Sequence, residues 1–362
     1  MNIRRMSIVL ALLVGLVAAG CGDDDDGGGE GGASQEELAS YQPDDKTVRR
    51  VDEDTFKVGK PAGEYVIGVS FPHFKDPYWV AEAYGVEQEA ERLGVEARIN
   101  AASGYGDTTG QLRQIDTYLT QQVDALLLGA VDSKAMAPAA DRAWNDGIPV
   151  IYTNALAESE LSIGVYTDDE LAGTKQADYI ASKDPNAQVI AMCGPPGVVW
   201  PKKRCEAFVD RLEEKASGAK VLAMKYHDMD RAKIAEVAGN TLEGFPEAAW
   251  VYNSTDLQAK GVIDALRARG DDPGEVKITN LTIGEELYDY MKEGWITYAL
   301  SERAVTQGRL AVDMAVMILN GEKPPANWAV DLPGYEGDQA GIAQFEEDGE
   351  APRNWAPQGY SP

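Results

Sequence analysis

From position 65 onward, short β-branched runs alternate with stretches of helical period, the order that builds parallel sheets covered by helices on both faces. Residues 65–70, 95–100, 125–129, 150–153, 162–165, 188–192, 220–225, 249–253, 277–283 and 298–301 read as strands. Helices fill most of the gaps. Pro77–Leu93 sets Val80, Tyr84, Val86, Ala90 and Leu93 near one stripe, with Glu82, Glu87, Glu89 and Glu91 mostly outside it, as expected of a helix lying on a sheet. Ten strands exceed one ordinary doubly wound sheet and suit two lobes of about five each. The run SIGVYTDD (162–169) is a short strand without a clear helix before it, so the chain is expected to cross between lobes there. A second crossing is expected at Ser301, Glu302 and Arg303, because the helix Ala304–Leu319 needs a sheet to pack on.

The first of these junctions, VIGVSFPHFKDPYW, carries the most information, since ligands of open parallel sheets sit where a strand empties into such a loop. Asp76 is suited to cap the helix and Pro77 to fill its first position, so capping alone accounts for both. It does not account for Tyr78 and Trp79. Polar and aromatic residues recur just past other strands: Tyr105, Asn154, Trp200 and Arg204, Thr255 and Asp256, and Thr282. Each alone is an ordinary turn or cap residue, but together they would line a cleft between two sheet edges.

The chain has 362 residues, enough for two cores, and its formal net charge of −27 argues against nucleic acid as a partner. Arg4 and Arg5 precede an apolar run over 6–19, and Ala18-Ala19-Gly20-Cys21 reads as a lipobox closing a signal peptide at residue 20. The run is too short to span a bilayer comfortably, and an uncleaved signal anchor is the bland alternative. Cleavage would leave Cys21 lipidated at the new N-terminus and anchor an extracytoplasmic protein to the membrane. It would also remove two arginines and no acid, taking the charge from −27 to −29. Residues 21–60 then begin as an acidic, Gly-rich tether, Asp23 to Asp26 followed by glycines, with nothing to fix calcium ligands in space. The other two cysteines, Cys193 and Cys205, flank one loop; outside the cytoplasm they form either a disulfide or two buried thiols.

Catalytic signatures are sparse. His73 and His227 fall in different lobes without metal-ligand spacing, and no nucleophile elbow, P-loop or dinucleotide fingerprint follows a strand. Gly194-Pro195-Pro196-Gly197 loses the backbone donors that a phosphate cradle needs. The expectation is a binding protein without cofactor or metal, not an enzyme.

Over residues 64–321 the chain resembles type I periplasmic binding proteins of the ribose-binding kind. The motifs are GVSFPHFKDPYW, QQVDALLLGAVDSKAM, DGIPVIYTNA, CGPPGVVWPKKRCEAF, HDMDRAK, VYNSTDLQAKGV and MKEGWITYAL. The resemblance implies an α/β fold of two Rossmann-like lobes with parallel sheets, joined by a three-crossover hinge and closing on a small polar ligand. The lobes would be 61–167 with 303–330, and 168–302, followed by a Pro-, Gly- and acid-rich strap over 331–362. Carried over position by position, it places ligand contacts at Asp76, Tyr78, Trp79, Asn154, Arg204, Met229, Thr255, Thr282, and Glu302 or Arg303. Two charged forks of ribose binders are absent: Asn154-Ala155 stands for Asp-Arg, and Thr282 for Asp.

A narrower set, KDPYW, AYG, the ASGYG loop with Tyr105, QID and QGRLAV, resembles trimethylamine N-oxide sensing periplasmic proteins that work beside a histidine kinase. There Tyr78, Trp79 and Tyr105 would form part of an aromatic cage, with Thr167 and Thr282 where further rings stand. Two expectations follow. One is a monomeric lipoprotein that delivers a sugar or polyol to an ABC permease; the other is a sensor whose closed form is read by a membrane histidine kinase.

Overall fold

The computed structural model describes residues 32–43, 48–52, 58–75 and 77–348, and for residue 347 its backbone alone. Its strands are β1 (Val48–Val51), β2 (Val66–Phe71), β3 (Glu96–Ala101), β4 (Ala125–Leu128), β5 (Val150–Asn154), β6 (Ile163–Tyr166), β7 (Gln188–Gly194), β8 (Lys220–Tyr226), β9 (Trp250–Asn253), β10 (Lys277–Leu281), β11 (Tyr298–Leu300), β12 (Asn327–Val330) and β13 (Gly334–Glu336). The helices are α1 (Gln35–Ala39), α2 (Pro77–Leu93), α3 (Thr108–Thr120), α4 (Ser133–Asn145), α5 (Asp169–Lys183), α6 (Val199–Lys215), α7 (Arg231–Gly244), α8 (Asp256–Arg269), α9 (Glu285–Lys292), α10 (Ala304–Leu319) and α11 (Gln339–Asp348).

Two sheets result. The first runs β1-β12-β6-β5-β4-β2-β3, every pair parallel. The second runs β13-β11-β10-β9-β7-β8, parallel except for β13 against β11. Among the described residues the chain passes between sheets three times, after β6, after β11 and after β12. Their central strands, such as β4 (Ala-Leu-Leu-Leu) and β9 (Trp-Val-Tyr-Asn), are short and wholly buried because helices cover both faces, while β1, β3 and β8 at the sheet edges are largely half-buried or exposed.

Helix α10 follows the second crossing and returns to the first lobe, where it packs on α2. Glycines permit the approach: a Cβ at Gly85 would fall 2.1 Å from the Val305 carbonyl oxygen, and one at Gly308 2.2 Å from that of Glu82. The backbones therefore nearly touch, and α10 is buried along almost its whole length and mostly apolar, with Thr306, Gln307 and Asp313 as its buried polar residues.

Three expectations need correction. The tether read over 21–60 extends too far. Ser34 caps α1 with Glu37 in a capping box, Leu38 and Tyr41 are buried with Tyr41 stacked on Trp144, and β1 adds an edge strand beside β12. The 331–362 strap is also more than a cover: β13 joins the second sheet, and Tyr335 and Phe345 enter its core. A three-residue strand carries no readable alternation, so only pairing reveals it. Finally, Glu82 and Glu89 are buried, not on an outer face. The α10 contact covers a side of α2 that a single-sheet reading leaves open to water.

Candidate functional site

The carboxyl ends of the strands from both sheets meet at the crossings. On the first lobe, α2 follows β2 through a short loop, and its opening turn buries Tyr78 and Trp79. The Trp79 ring lies 5.3 Å from Phe71 and meets Tyr78 edge-on at 4.9 Å. Its indole edge covers Gly129 at the end of β4, where a Cβ would fall 2.4 Å from the ring. The indole N–H donates to the Tyr105 hydroxyl at 3.0 Å, and His73 meets Tyr105 edge-on at 4.9 Å. Burial, with Lys75 nearby, pushes His73 down to about 4, so the imidazole is neutral at physiological pH. Trp79, at 2% exposure, belongs to the first lobe's hydrophobic core as much as to the wall of a cleft.

The second feature centres on Glu302, in the crossing between β11 and α10. Its carboxylate accepts from Asn154 Nδ2 (3.4 Å) and Thr167 Oγ1 (3.0 Å) on the first-lobe side. From the second lobe it accepts from Thr282 Oγ1 (2.5 Å), Arg204 Nη1 (3.4 Å) and Arg204 Nη2 (3.1 Å). Gln307 braces it by donating to Thr167 Oγ1 and to the Glu302 carbonyl. Three non-glycine residues around it hold positive φ, Asn154 (65°), Thr282 (73°) and Arg303 (50°). Such backbone is costly and persists where surrounding contacts enforce it.

Arg204 is almost fully committed within the protein. Its Nε donates to Asp169 (2.7 Å) and its Nη1 to the Ser254 carbonyl (3.0 Å) as well as to Glu302. Trp200 lies under the guanidinium, 4.8 Å away. Of the five N–H donors of an arginine, four are thus used. Burial alone would depress the Arg204 pKa, but Glu302 and Asp169 outweigh it and the guanidinium is held charged. Asp169 itself is raised by burial, in part offset by Arg204.

On the second lobe, Gln258 Oε1 gathers the Ser254 and Thr255 backbone N–H groups and the Ser254 hydroxyl at the start of α8. The Thr255 hydroxyl is buried without a hydrogen-bond partner among the described residues. Asp256 pairs with Lys260 at 3.0 Å. The lobes touch here: a Cβ on Gly284 would lie 2.7 Å from Pro77 of α2 and 3.1 Å from the Asp256 carboxylate. Cys193 and Cys205 form a disulfide with Cα atoms 5.5 Å apart, so the two-thiol alternative falls away. The bridge ties the end of β7 to α6, the helix that carries Trp200 and Arg204.

The structure thus brings Asn154, Arg204, Thr282 and Glu302 together on one carboxylate, and Trp79 with Tyr105 on one hydrogen bond. Arg303 opens α10, its N–H bonded to Ser301 Oγ. Met229 sits half-buried in the bend before α7. Asp76 and Cys21 lie outside the described residues. Sequence reasoning missed Glu82, Asp169 and Gln307. Glu82 had a readable signal, four residues after Tyr78 and hence on the same helix face.

The chain matches the family described as periplasmic binding protein domain over residues 67–323. It belongs to that family. The ribose import binding protein of Bacillus subtilis is 28% identical over 262 residues, covering 72% of this chain and 83% of the relative. Periplasmic protein TorT of Escherichia coli is 26% identical over 263 residues, covering 71% of this chain and 73% of the relative. Among solved structures, a sugar ABC transport substrate-binding protein from Bordetella parapertussis aligns with a TM-score of 0.74 at 23% identity, over 86% of this chain and 99% of that one. Its relatives thus include sugar-binding proteins of ABC transport, and the family it belongs to is one of extracytoplasmic binding proteins. No helix among the described residues is long and apolar enough to cross a membrane.

Proposed function

We propose that this periplasmic binding protein captures a small polar solute, a sugar or polyol, between its lobes and delivers it to an ABC importer while anchored to the membrane through lipidated Cys21. The observation that carries the reading is the Glu302 carboxylate, held at a crossing by Asn154 and Thr167 from one side and by Arg204 and Thr282 from the other. A closing hinge needs a point where both lobes report to one group, and a ligand that rearranges those bonds shifts the balance between open and closed. Tyr105 and Trp200, half-buried beside the buried Tyr78 and Trp79, suit the C–H side of a ring, and the Thr255 hydroxyl suits a solute hydroxyl.

The relatives' names support import as the destination, ribose import above all. A second reading, a sensor read by a membrane histidine kinase, is favoured by the Trp79–Tyr105 corner and by the match to TorT. Thermal-shift titration of the purified mature protein with D-ribose, D-allose and short polyols tests solute capture, because a ligand of the folded form raises its apparent stability. A saturable shift is expected. No shift with any sugar or polyol would overturn the sugar reading. Cys21→Ser should release the protein from membranes into the soluble fraction; retention would remove the lipid anchor.

A further inference from the structure

The acids of the cleft outnumber its uncommitted cations. Glu302 and Asp169 share one guanidinium, Arg204, which already spends four of its donors on them and on Ser254. Lys260 pairs with Asp256 and lies 3.7 Å from Glu286, and Arg303 lies beside Asp331, whose pKa it helps to lower. Lys75 donates to the Ser103 carbonyl on the exposed rim.

A further acid is not covered by this accounting. Glu82, one turn after Tyr78 on α2, is fully buried, and neither of its carboxyl oxygens has a hydrogen-bond partner of normal geometry among the described residues. Its neighbours identify where it points: the hydroxyls of Tyr78 and of Thr153 lie beside it, and Glu302 is near enough to repel it. Thr153 immediately precedes Asn154, which reaches Glu302. The carboxyl therefore faces the first-lobe side of the Glu302 cluster and not the solvent side of α2. Burying an acid whose acceptor atoms are met only loosely, by two hydroxyls, is costly, and a purely structural role is served better by an apolar side chain.

We infer that Glu82 is a specificity-determining residue of the cleft, and that the solute it selects carries a protonated nitrogen whose N–H groups fill the acceptor positions of its carboxyl. The inference rests on the solute-capture reading and narrows it from polyols in general to amino-substituted ones. Burial raises Glu82 to about 8, with Tyr78 and Thr153 offsetting part of the rise and Glu302 adding to it. Without a cation the group is mostly protonated at neutral pH, and a bound ammonium supplies the charge that lets it ionise.

The test uses matched pairs that differ only by amine for hydroxyl: D-glucosamine with D-glucose, D-galactosamine with D-galactose, 2-amino-1,3-propanediol with glycerol, and putrescine with 1,4-butanediol. Each is titrated calorimetrically into the mature protein and into Glu82→Gln. At least one amine is expected to bind more tightly than its alcohol partner, and Glu82→Gln to weaken that amine by about tenfold or more while leaving the alcohol nearly unchanged, as for loss of a charged hydrogen bond. Glu82→Leu, which also removes the buried polar group, gives the same readout should the glutamine variant fail to fold. Alcohols binding as well as their amines, or a variant that weakens both alike, overturns the inference and leaves solute capture standing. Absence of saturable binding by every sugar, polyol and amine overturns both.

Discussion

The two walls of the cleft are made of different materials. The first-lobe wall is a set of rings, Phe71, Tyr78, Trp79 and Tyr105, continuous with the hydrophobic core and joined by one indole hydrogen bond. The second-lobe wall is ionic: Arg204, on the helix stapled by the Cys193–Cys205 bridge, stands between Asp169 and Glu302, and Asp256 pairs with Lys260 on α8. A ring wall gains its rigidity from packing, which is tied to the lobe's own folding. An ionic wall depends on charge balance across the crossing, so removing one member leaves the others buried and unpaired.

The largest effect should come from breaking that balance. Arg204→Ala leaves Glu302 and Asp169 together without their cation, and a loss of about 3–5 kcal/mol is expected in urea unfolding. Removing one acid as well, with Arg204→Met and Glu302→Gln together, returns the cluster to its native excess of one acid and should recover part of the loss. A single mutant as stable as the native chain would show that the ionic wall is not held by charge pairing.

Trp79→Ala tests the other wall. Because the ring is buried against Phe71 and Gly129, the change opens a core cavity costing about 3–5 kcal/mol, while Trp79→Phe should cost far less. Equal, small losses from both would mean that Trp79 lines a cleft without belonging to the core. The staple ranks next. Cys193→Ser is expected to lower stability by about 3 kcal/mol in the chain-entropy view. A reducing agent should reproduce that loss in the native chain and have no effect on the mutant.

The smallest effect is a slope. Glu82 is raised to about 8 in the folded protein from its ordinary 4.5, so the native state holds a proton that the unfolded chain has released. Its contribution is greatest at low pH and is lost as pH rises towards about 8. His73 acts in the opposite sense. Lowered to about 4 from 6.5, it makes stability fall as pH drops through that interval. Glu82→Gln should flatten the decline of the urea midpoint between about pH 5 and 8, and His73→Gln should not. An unchanged slope in the Glu82 variant would contradict the buried, protonated state.

Much of the fold was legible before any coordinates. Pro77–Leu93 and Ala304–Leu319 appear with the bounds their apolar periodicity predicts, and ten predicted strands pair as expected. The missing strands, β1, β12 and β13, are three or four residues long at or near sheet edges, where a local pattern is too short to register. Of the site, the aromatic turn at Tyr78 and Trp79 was legible because two rings in a first helical turn have no capping role. Of the ionic centre, Arg204, Thr282, Asn154 and Glu302 were named, Asp169 and Gln307 were not, and the set was not understood as one unit.

That division has a physical basis. Composition and period alone determined the alternating strands and helices, the acidic charge and the position of two lobe crossings, because each reflects burial within one turn or one pleat. Only the tertiary structure decided that Asn154, Thr167 and Arg204 meet on Glu302 across sequence separations of 148, 135 and 98, and that Cys193 pairs with Cys205. It likewise decided that Glu82 is buried. The acid lies beside Tyr78, Thr153 and Glu302, and nothing in the period of a single helix records which neighbours will surround it.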